Sequence, residues 1–183
     1  MAKKYMFHVQ KLERQLAAAL GQEVADRILE GCEGLTAASP RPERARLMNL
    51  AMARLGKACD RETAVGIRER CACKPPAFLA EAKRIHAASS GLDDFLRQLS
   101  EYGKVGVYYR EGDAYYCSYR PKDCVCGMVK DRKEPVDPLW CECCKGHAKW
   151  ILEGCLGAKV EMELLGSIVA GGAECKFRIT RIV

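Results

Sequence analysis

The apolar positions of the chain follow a helical period up to about residue 103 and a strand period after it. In segment 9–31, apolar residues recur mostly every three or four positions: Leu12, Leu16, Ala19, Leu20, Val24 and Ile28. This spacing places them on one face of an amphipathic helix, and Gly31 and Gly34 would end that helix. The sequence therefore predicts one long helix over residues 9–31.

Four further helices are predicted from start and stop signals. The segment Ser39–Glu43 is suited to a helix start, and Gly56 is suited to the end of the same helix. Asp60 can cap the next helix, and Pro75-Pro76 breaks the chain before another. The predicted helices cover residues 43–55, 61–70, 76–86 and 91–102.

Strands are predicted after Gly103. Lys104–Arg110 and Ala114–Tyr119 are rich in Val and Tyr and flank Glu111-Gly112-Asp113, a turn signal, so they predict a β-hairpin. The elements expected after this hairpin are a charged loop, a helix closed by Gly157 and two strands: residues 120–139, 139–156, 159–168 and 174–183.

The last two strands alternate between apolar and polar side chains. Their apolar faces consist of Val160, Met162 and Leu164 on one strand and Cys175, Phe177 and Ile179 on the other. Such faces are expected to be buried, so Cys175 should point inward. The order β-β-α-β-β behind a set of helices predicts an α+β fold. We expect one domain, with a helical part over 1–103 packed on a sheet-containing, cysteine-rich part over 104–183.

Composition and charge narrow the classes of partner. The formal net charge is +6, but the basic residues are spread out and form no nucleic-acid tail. The helix pair at 43–70 lacks the apolar residue that a helix-turn-helix needs, since Glu62 occupies that position. Nucleic-acid binding is therefore not expected. No apolar run approaches the roughly 20 residues that span a bilayer, so no membrane association is expected. The sequence does not indicate an oligomeric state.

Twelve cysteines in 183 residues are the unusual feature of the composition. The segment Met1–Lys11 has no apolar core of a signal peptide, so the chain is expected to be cytoplasmic, where stable disulfides are disfavoured. Seven of the cysteines are clustered, which indicates metal binding or redox chemistry: Cys71, Cys73, Cys124, Cys126, Cys141, Cys143 and Cys144. Four isolated cysteines are expected to fill the core: Cys32, Cys59, Cys117 and Cys155.

Metal ligation is the leading interpretation of the clustered cysteines. Cys124-x-Cys126 and Cys141-x-x-Cys144 together supply four thiolates, the number that structural zinc requires. Cys141 and Cys144 share a helical face, and Cys175 should face the same side. Further ligands are available from Cys71, Cys73, Cys143 and His147. An iron–sulfur cluster would also accept four thiolates, and the spacing does not separate it from zinc.

Thiol chemistry is the enzymatic alternative. The string Trp140-Cys141-Glu142-Cys143-Cys144-Lys145 contains Trp-Cys-x-x-Cys-Lys, which resembles the active-site motif of thioredoxins. A helix start lowers the pKa of a cysteine thiol. The preceding segment Lys133–Pro138 is loop-like, however, and no proline follows Pro138. A thiol- or metal-dependent hydrolase or reductase acting at Cys141/Cys144 therefore stays open on another fold, with its catalytic residues unknown.

The segment 141–179 resembles the 4-vinyl reductase domain, which has the haem-NO-binding-like fold. The matching features are a helix-start Cys141 with Gly154 near the helix end, the string Leu156–Glu161, and a glycine turn that ends in Cys175-x-Phe177. The same hairpin ending resembles, more weakly, the L-2-amino-thiazoline-4-carboxylic acid hydrolase family, although no catalytic residue of that family is matched.

The first resemblance implies small-molecule binding and a zinc site. Cys141 and Cys175 match two zinc ligands of that family, whereas Ser167 replaces its middle Cys and Leu164 occupies the position of its Glu. The extra cysteines at 124, 126 and 144 would then substitute. The sequence thus predicts a cytoplasmic, zinc-binding domain that senses or binds a small apolar ligand. The alternatives are the thiol- or metal-dependent enzyme and an iron–sulfur protein.

Overall fold

The computed structural model describes residues 6–104, 106–119, 124 and 126–182. Parts of three predicted segments lie outside the described residues: the first five residues of the segment searched for a signal peptide, residue 105 of the first strand, and 120–123 and 125 of the charged loop. The last residue of the final predicted strand, Val183, also lies outside them.

In the described part of the chain, six helices precede the sheet. They are α1 Phe7–Leu20, α2 Gln22–Ile28, α3 Arg41–Ala58, α4 Arg61–Arg70, α5 Pro76–Ala88 and α6 Leu92–Tyr102. Helix α4 begins as predicted, because the Asp60 side chain accepts a hydrogen bond from the Thr63 backbone N–H.

Two predicted helix boundaries are wrong, both at glycines. The expected helix over 9–31 is two helices, because Gly21 has a φ of 86° and breaks the backbone between α1 and α2. The apolar period continues across this break, so the pattern did not reveal it. Helix α3 runs past Gly56 to Ala58, since a single glycine inside a helix costs only about 1 kcal/mol.

The second half forms a four-stranded antiparallel sheet with the order β1-β2-β4-β3. The strands are β1 Val107–Glu111, β2 Ala114–Tyr119, β3 Val160–Gly166 and β4 Cys175–Ile182. A 3-10 turn, Pro138–Cys141, leads into α7 Glu142–Leu156 between β2 and β3. The predicted order β-β-α-β-β is confirmed, and the architecture is α+β.

Strand alternation is also confirmed. Cys175, Phe177 and Ile179 of β4 are buried, whereas Arg178 and Thr180 are exposed. Helix α7 packs against α4, α5 and β3, and one continuous apolar core includes side chains from the helices and the sheet. Among the described residues, no helix has the length and apolar character needed to cross a bilayer.

Candidate functional site

One cavity of about 460 Å³ lies where the helical half meets the sheet. Eight of the chain's twelve cysteines line it: Cys71, Cys73, Cys124, Cys126, Cys141, Cys143, Cys144 and Cys175. They come from the segment after α4, the segment before the 3-10 turn, the turn itself, the first turn of α7 and the start of β4. Cysteines distant in sequence therefore converge on one space.

The structure brings together every cysteine that the sequence singled out as a metal ligand. Cys124, Cys126, Cys141, Cys144 and Cys175 all line the cavity, and so do the spare candidates Cys71, Cys73, Cys143 and His147. The four cysteines expected to fill the core do not line it: Cys32, Cys59, Cys117 and Cys155. Spacing separates these two groups of cysteines, and strand alternation places Cys175 with the first group.

A close contact between α4 and α7 positions two of the cysteines. A Cβ atom at Gly146 would overlap the backbone of Glu69 at the end of α4, so only glycine allows this approach. The carboxylate of Glu69 also lies 2.9 Å from Lys145 Nζ and 2.8 Å from Lys149 Nζ. Together these contacts hold the segment that follows α4, with Cys71 and Cys73, beside the first turns of α7.

Cys141 and Cys175 form the innermost thiol pair. Both side chains are buried, and each thiol shifts the pKa of the other. The Cys175 thiol raises the pKa of Cys141, with burial acting in the same direction. The Cys141 thiol lowers the pKa of Cys175 to about 7. Ser167, which replaces the middle Cys of the 4-vinyl reductase resemblance, places its Oγ 3.1 Å from Cys141 Sγ.

Cys143 and Cys144 form a second pair on α7. The Cys144 thiol lowers the pKa of Cys143 to about 6, and the charges of Arg68 and Lys11 act in the same direction. The Cys143 thiol, together with burial, raises the pKa of Cys144. The cavity thus holds two adjacent thiol pairs, each with one thiol biased toward the thiolate, which is the form that ligates metals and attacks disulfides.

Two histidines flank the outer cysteines. His8 Nε2 lies 4.0 Å from Cys73 Sγ, and His147 Nδ1 lies 2.5 Å from the backbone oxygen of Cys73. Burial lowers the pKa of both histidines, and nearby cations, Lys11 first, add to the effect at His8. Both rings are therefore biased toward the neutral form that binds metals.

Sequence reasoning missed His8 and Arg68 as cavity residues. His8 has no motif around it that could have indicated a site. Arg68 did carry a signal, because it shares a helical face of α4 with the buried residues Ala64, Ile67 and Cys71. A charged residue on an apolar face indicates a specific buried partner.

The cavity is wider than the coordination sphere of a single ion. Across the described parts of the chain, no three His, Cys, Asp or Glu side chains converge closely enough to hold one metal ion as they stand. The described lining residues include no Asp or Glu, and their charged members are Arg68 and Lys104. The side-chain donors available to a bound metal are therefore mainly sulfur, with imidazole nitrogen and the Tyr119 phenol oxygen, in a wall that carries positive charge.

These features define an α+β protein with a thiol-lined cavity between its helices and its sheet. The chain belongs to a family of unknown function, DUF6144, whose sequence model matches residues 5–182. Among curated proteins, none matches the chain.

Proposed function

We propose that this protein is a metalloprotein that binds an iron–sulfur cluster through the thiolates of its cysteine cavity. The observation that carries the proposal is the convergence of eight cysteines on one cavity of about 460 Å³. Cysteines that only fill a hydrophobic core are not expected to line one shared cavity. Four of these thiolates suffice for one [2Fe–2S] or [4Fe–4S] cluster.

The width of the cavity favours a cluster over a single ion. Four thiolates around one zinc ion lie about 2.3 Å from the metal and therefore within about 4 Å of one another. The described side chains do not converge to that degree. A cluster occupies a larger volume and keeps its ligands farther apart, so it requires less movement of the thiols.

The chemistry of the donors also suits a cluster. Thiolates are the soft ligands that iron–sulfur clusters use, and the described lining offers no competing carboxylate. Trp140 Nε1 donates a hydrogen bond to Cys126 Sγ at 3.5 Å, and hydrogen bonds to ligand sulfur tune the reduction potential. When bound, such a cluster supplies one-electron transfer.

Zinc is the second candidate, and one observation favours it. Cys141, Cys175 and Ser167 lie together, and these residues occupy three of the ligand positions of the 4-vinyl reductase resemblance. A rotation of Cys124 or Cys144 toward the Cys141–Cys175 pair would provide a third thiolate. Zinc, rather than the cluster, is therefore the outcome that the resemblance predicts.

The remaining sequence predictions keep the status of proposals. Phe78, Tyr119 and Ile168 give part of the cavity an apolar lining, which supports the predicted binding of a small apolar ligand. A thiol- or metal-dependent enzyme acting at Cys141/Cys144 stays an alternative, and the mutual pKa effect of Cys141 and Cys175 adds Cys175 as a candidate partner thiol. Cytoplasmic location and the absence of nucleic-acid binding remain expectations.

Metal and sulfide analysis of the intact chain tests the proposal. The protein is purified without oxygen and without a metal-chelating tag, and its iron, zinc and acid-labile sulfide are measured per chain. Iron with a matching amount of sulfide supports the cluster. Zinc near one equivalent without sulfide overturns the cluster and supports the second candidate. Metal-free protein with reactive thiols overturns both and supports the thiol enzyme.

A further inference from the structure

We propose that Arg68 is the buried counter-charge of an anionic thiolate centre, so that it balances the net negative charge of the cysteine thiolates gathered on a metal or cluster. This inference rests on the proposed function, because it concerns the net charge of the centre that the cysteines would form. It also separates such a centre from a neutral apolar ligand, which has no need of a buried guanidinium.

The first step is the burial of Arg68. The residue is only 2% exposed although it lines the cavity. Arginine stays charged at any physiological pH, and burying an unpaired charge is strongly unfavourable. A protein that keeps such a residue at this position must therefore offset its charge nearby.

The second step is the identity of its partners. Nη2 of Arg68 donates to the backbone oxygen of Trp140 at 2.8 Å, and the guanidinium lies 4.0 Å from the centre of the Trp140 ring. The charge of the guanidinium also acts to lower the pKa of Cys71, against the larger effect of burial, which raises it. Nε has no hydrogen-bond partner. Within the described residues, no carboxylate forms an ion pair with Arg68.

The third step is the charge of the surrounding wall. The positive charges of Lys11, Arg68 and Arg44 all act on the neighbouring His8, while the nearby carboxylates Glu69 and Glu142 are paired with Lys145. Since the described lining contains no acidic side chain, the groups able to balance Arg68 are thiolates. Thiolates gathered on a metal or a cluster carry net negative charge, and that charge would face the guanidinium.

Two substitutions of Arg68 test this role in the intact, metal-loaded protein. Arg68→Met removes the charge and keeps similar length, whereas Arg68→Lys keeps the charge and loses the planar contact with Trp140. Metal retention is measured against increasing concentrations of EDTA. Removing a group that supports the ligands of a metal site typically weakens metal binding by about 10- to 100-fold. We expect a loss of that size for Arg68→Met and a clearly smaller one for Arg68→Lys.

A matched control and a second readout separate charge balance from ordinary packing. Arg54 is partly exposed, donates to the backbone oxygen of Glu30 at 2.8 Å and does not line the cavity. Arg54→Met should therefore retain metal like the unsubstituted chain. The metal-free Arg68→Met protein should lose little stability relative to the metal-free parent, because removing an unbalanced buried charge offsets the lost hydrogen bond to the Trp140 backbone oxygen.

The outcomes distinguish the two proposals. If the parent chain holds metal and Arg68→Met holds it equally tightly, the counter-charge role is overturned and the metal centre stands. Equal weakening by Met and Lys, with a matching loss of metal-free stability, shows a structural role and also overturns it. If the centre contains iron, Arg68→Met should in addition lower its midpoint potential, because a nearby positive charge favours the reduced state. A parent chain without metal overturns the proposed function itself.

Discussion

The thiol of Cys141, at the end of the 3-10 turn before α7, lies in the same cavity wall as the thiol of Cys175 at the start of β4, and each shifts the pKa of the other. Because β4 lies inside the sheet between β2 and β3, this thiol pair joins the start of α7 to the centre of the sheet. A group bound by both sulfurs would link the same two elements. Metal binding at this pair should therefore be coupled to the stability of the fold.

The first prediction concerns Cys141 itself. Cys141→Ser should lose most of the bound metal and lower the unfolding temperature of the metal-loaded protein, because a ligand is removed at the point where α7 meets the sheet. Metal per chain and thermal unfolding measure the two effects. Cys155→Ser is the matched control, since Cys155 lies on the same helix but does not line the cavity.

Equal metal loss in Cys141→Ser and Cys155→Ser would contradict the assignment of the site. So would full metal retention in Cys141→Ser, because the innermost thiol pair would then take no part in ligation.

The second prediction concerns the oxidation state of the thiols. All twelve cysteines have free thiols in the structure, so a thiol count under denaturing and chelating conditions should approach twelve per chain. The same count without a chelator should be lower if metal protects the ligand thiols. Fewer than about half of the thiols free in the chelated, denatured sample would instead indicate a disulfide-linked scaffold.

The third prediction concerns the buried charge cluster between α4 and α7. Lys145 Nζ lies 2.7 Å from Glu142 and 2.9 Å from Glu69, and the side chains of Lys145 and Glu142 are 6% and 3% exposed. Lys145→Met would leave Glu142 charged, buried and unpaired. Breaking such a pair typically costs about 3–5 kcal/mol of folding free energy, and denaturant unfolding measures it.

Two comparisons sharpen this prediction. The double variant Lys145→Met/Glu142→Met should recover much of the lost stability, because no unpaired charge remains on α7. Arg27→Met breaks an exposed pair with Glu23 and should change stability by less than about 1 kcal/mol. A Lys145→Met cost as small as that of Arg27→Met would show that the cluster is solvated rather than buried.

Much of the fold could be predicted from local pattern because local physics determines it. The Asp60 cap, the turn at Gly112 and the alternation in β4 each depend on residues adjacent in sequence. The break at Gly21 could not be predicted in this way. A glycine on the polar side of a helical pattern is compatible with continuation or interruption, and Gly56 lies inside a helix while Gly21 ends one.

The candidate site was predictable in its cysteines but not in its assembly. Clustered spacing separated the cavity cysteines from the core cysteines, and strand alternation indicated that Cys175 points inward. Spacing carries no information on the approach of α4 to α7, however, so Cys71 and Cys73 could be named only as spare ligands, and their position in the same cavity could not be derived. That approach depends on Gly146 meeting the Glu69 backbone, a contact between distant segments.

The last prediction tests that contact. A methyl group at Gly146 would overlap the backbone of Glu69, which cannot rotate away as a side chain would. Gly146→Ala should therefore force α4 and α7 apart, at a typical overpacking cost of about 1–3 kcal/mol, and it should reduce metal retention by moving Cys71 and Cys73.

Gly56→Ala is the matched control, because Gly56 lies within α3 with open space around it. That change should stabilise the protein by about 0.5–1 kcal/mol through helix propensity. Denaturant unfolding and metal content measured on both variants test the pair. If Gly146→Ala were as well tolerated as Gly56→Ala, the close approach would not be what brings the two cysteine segments together.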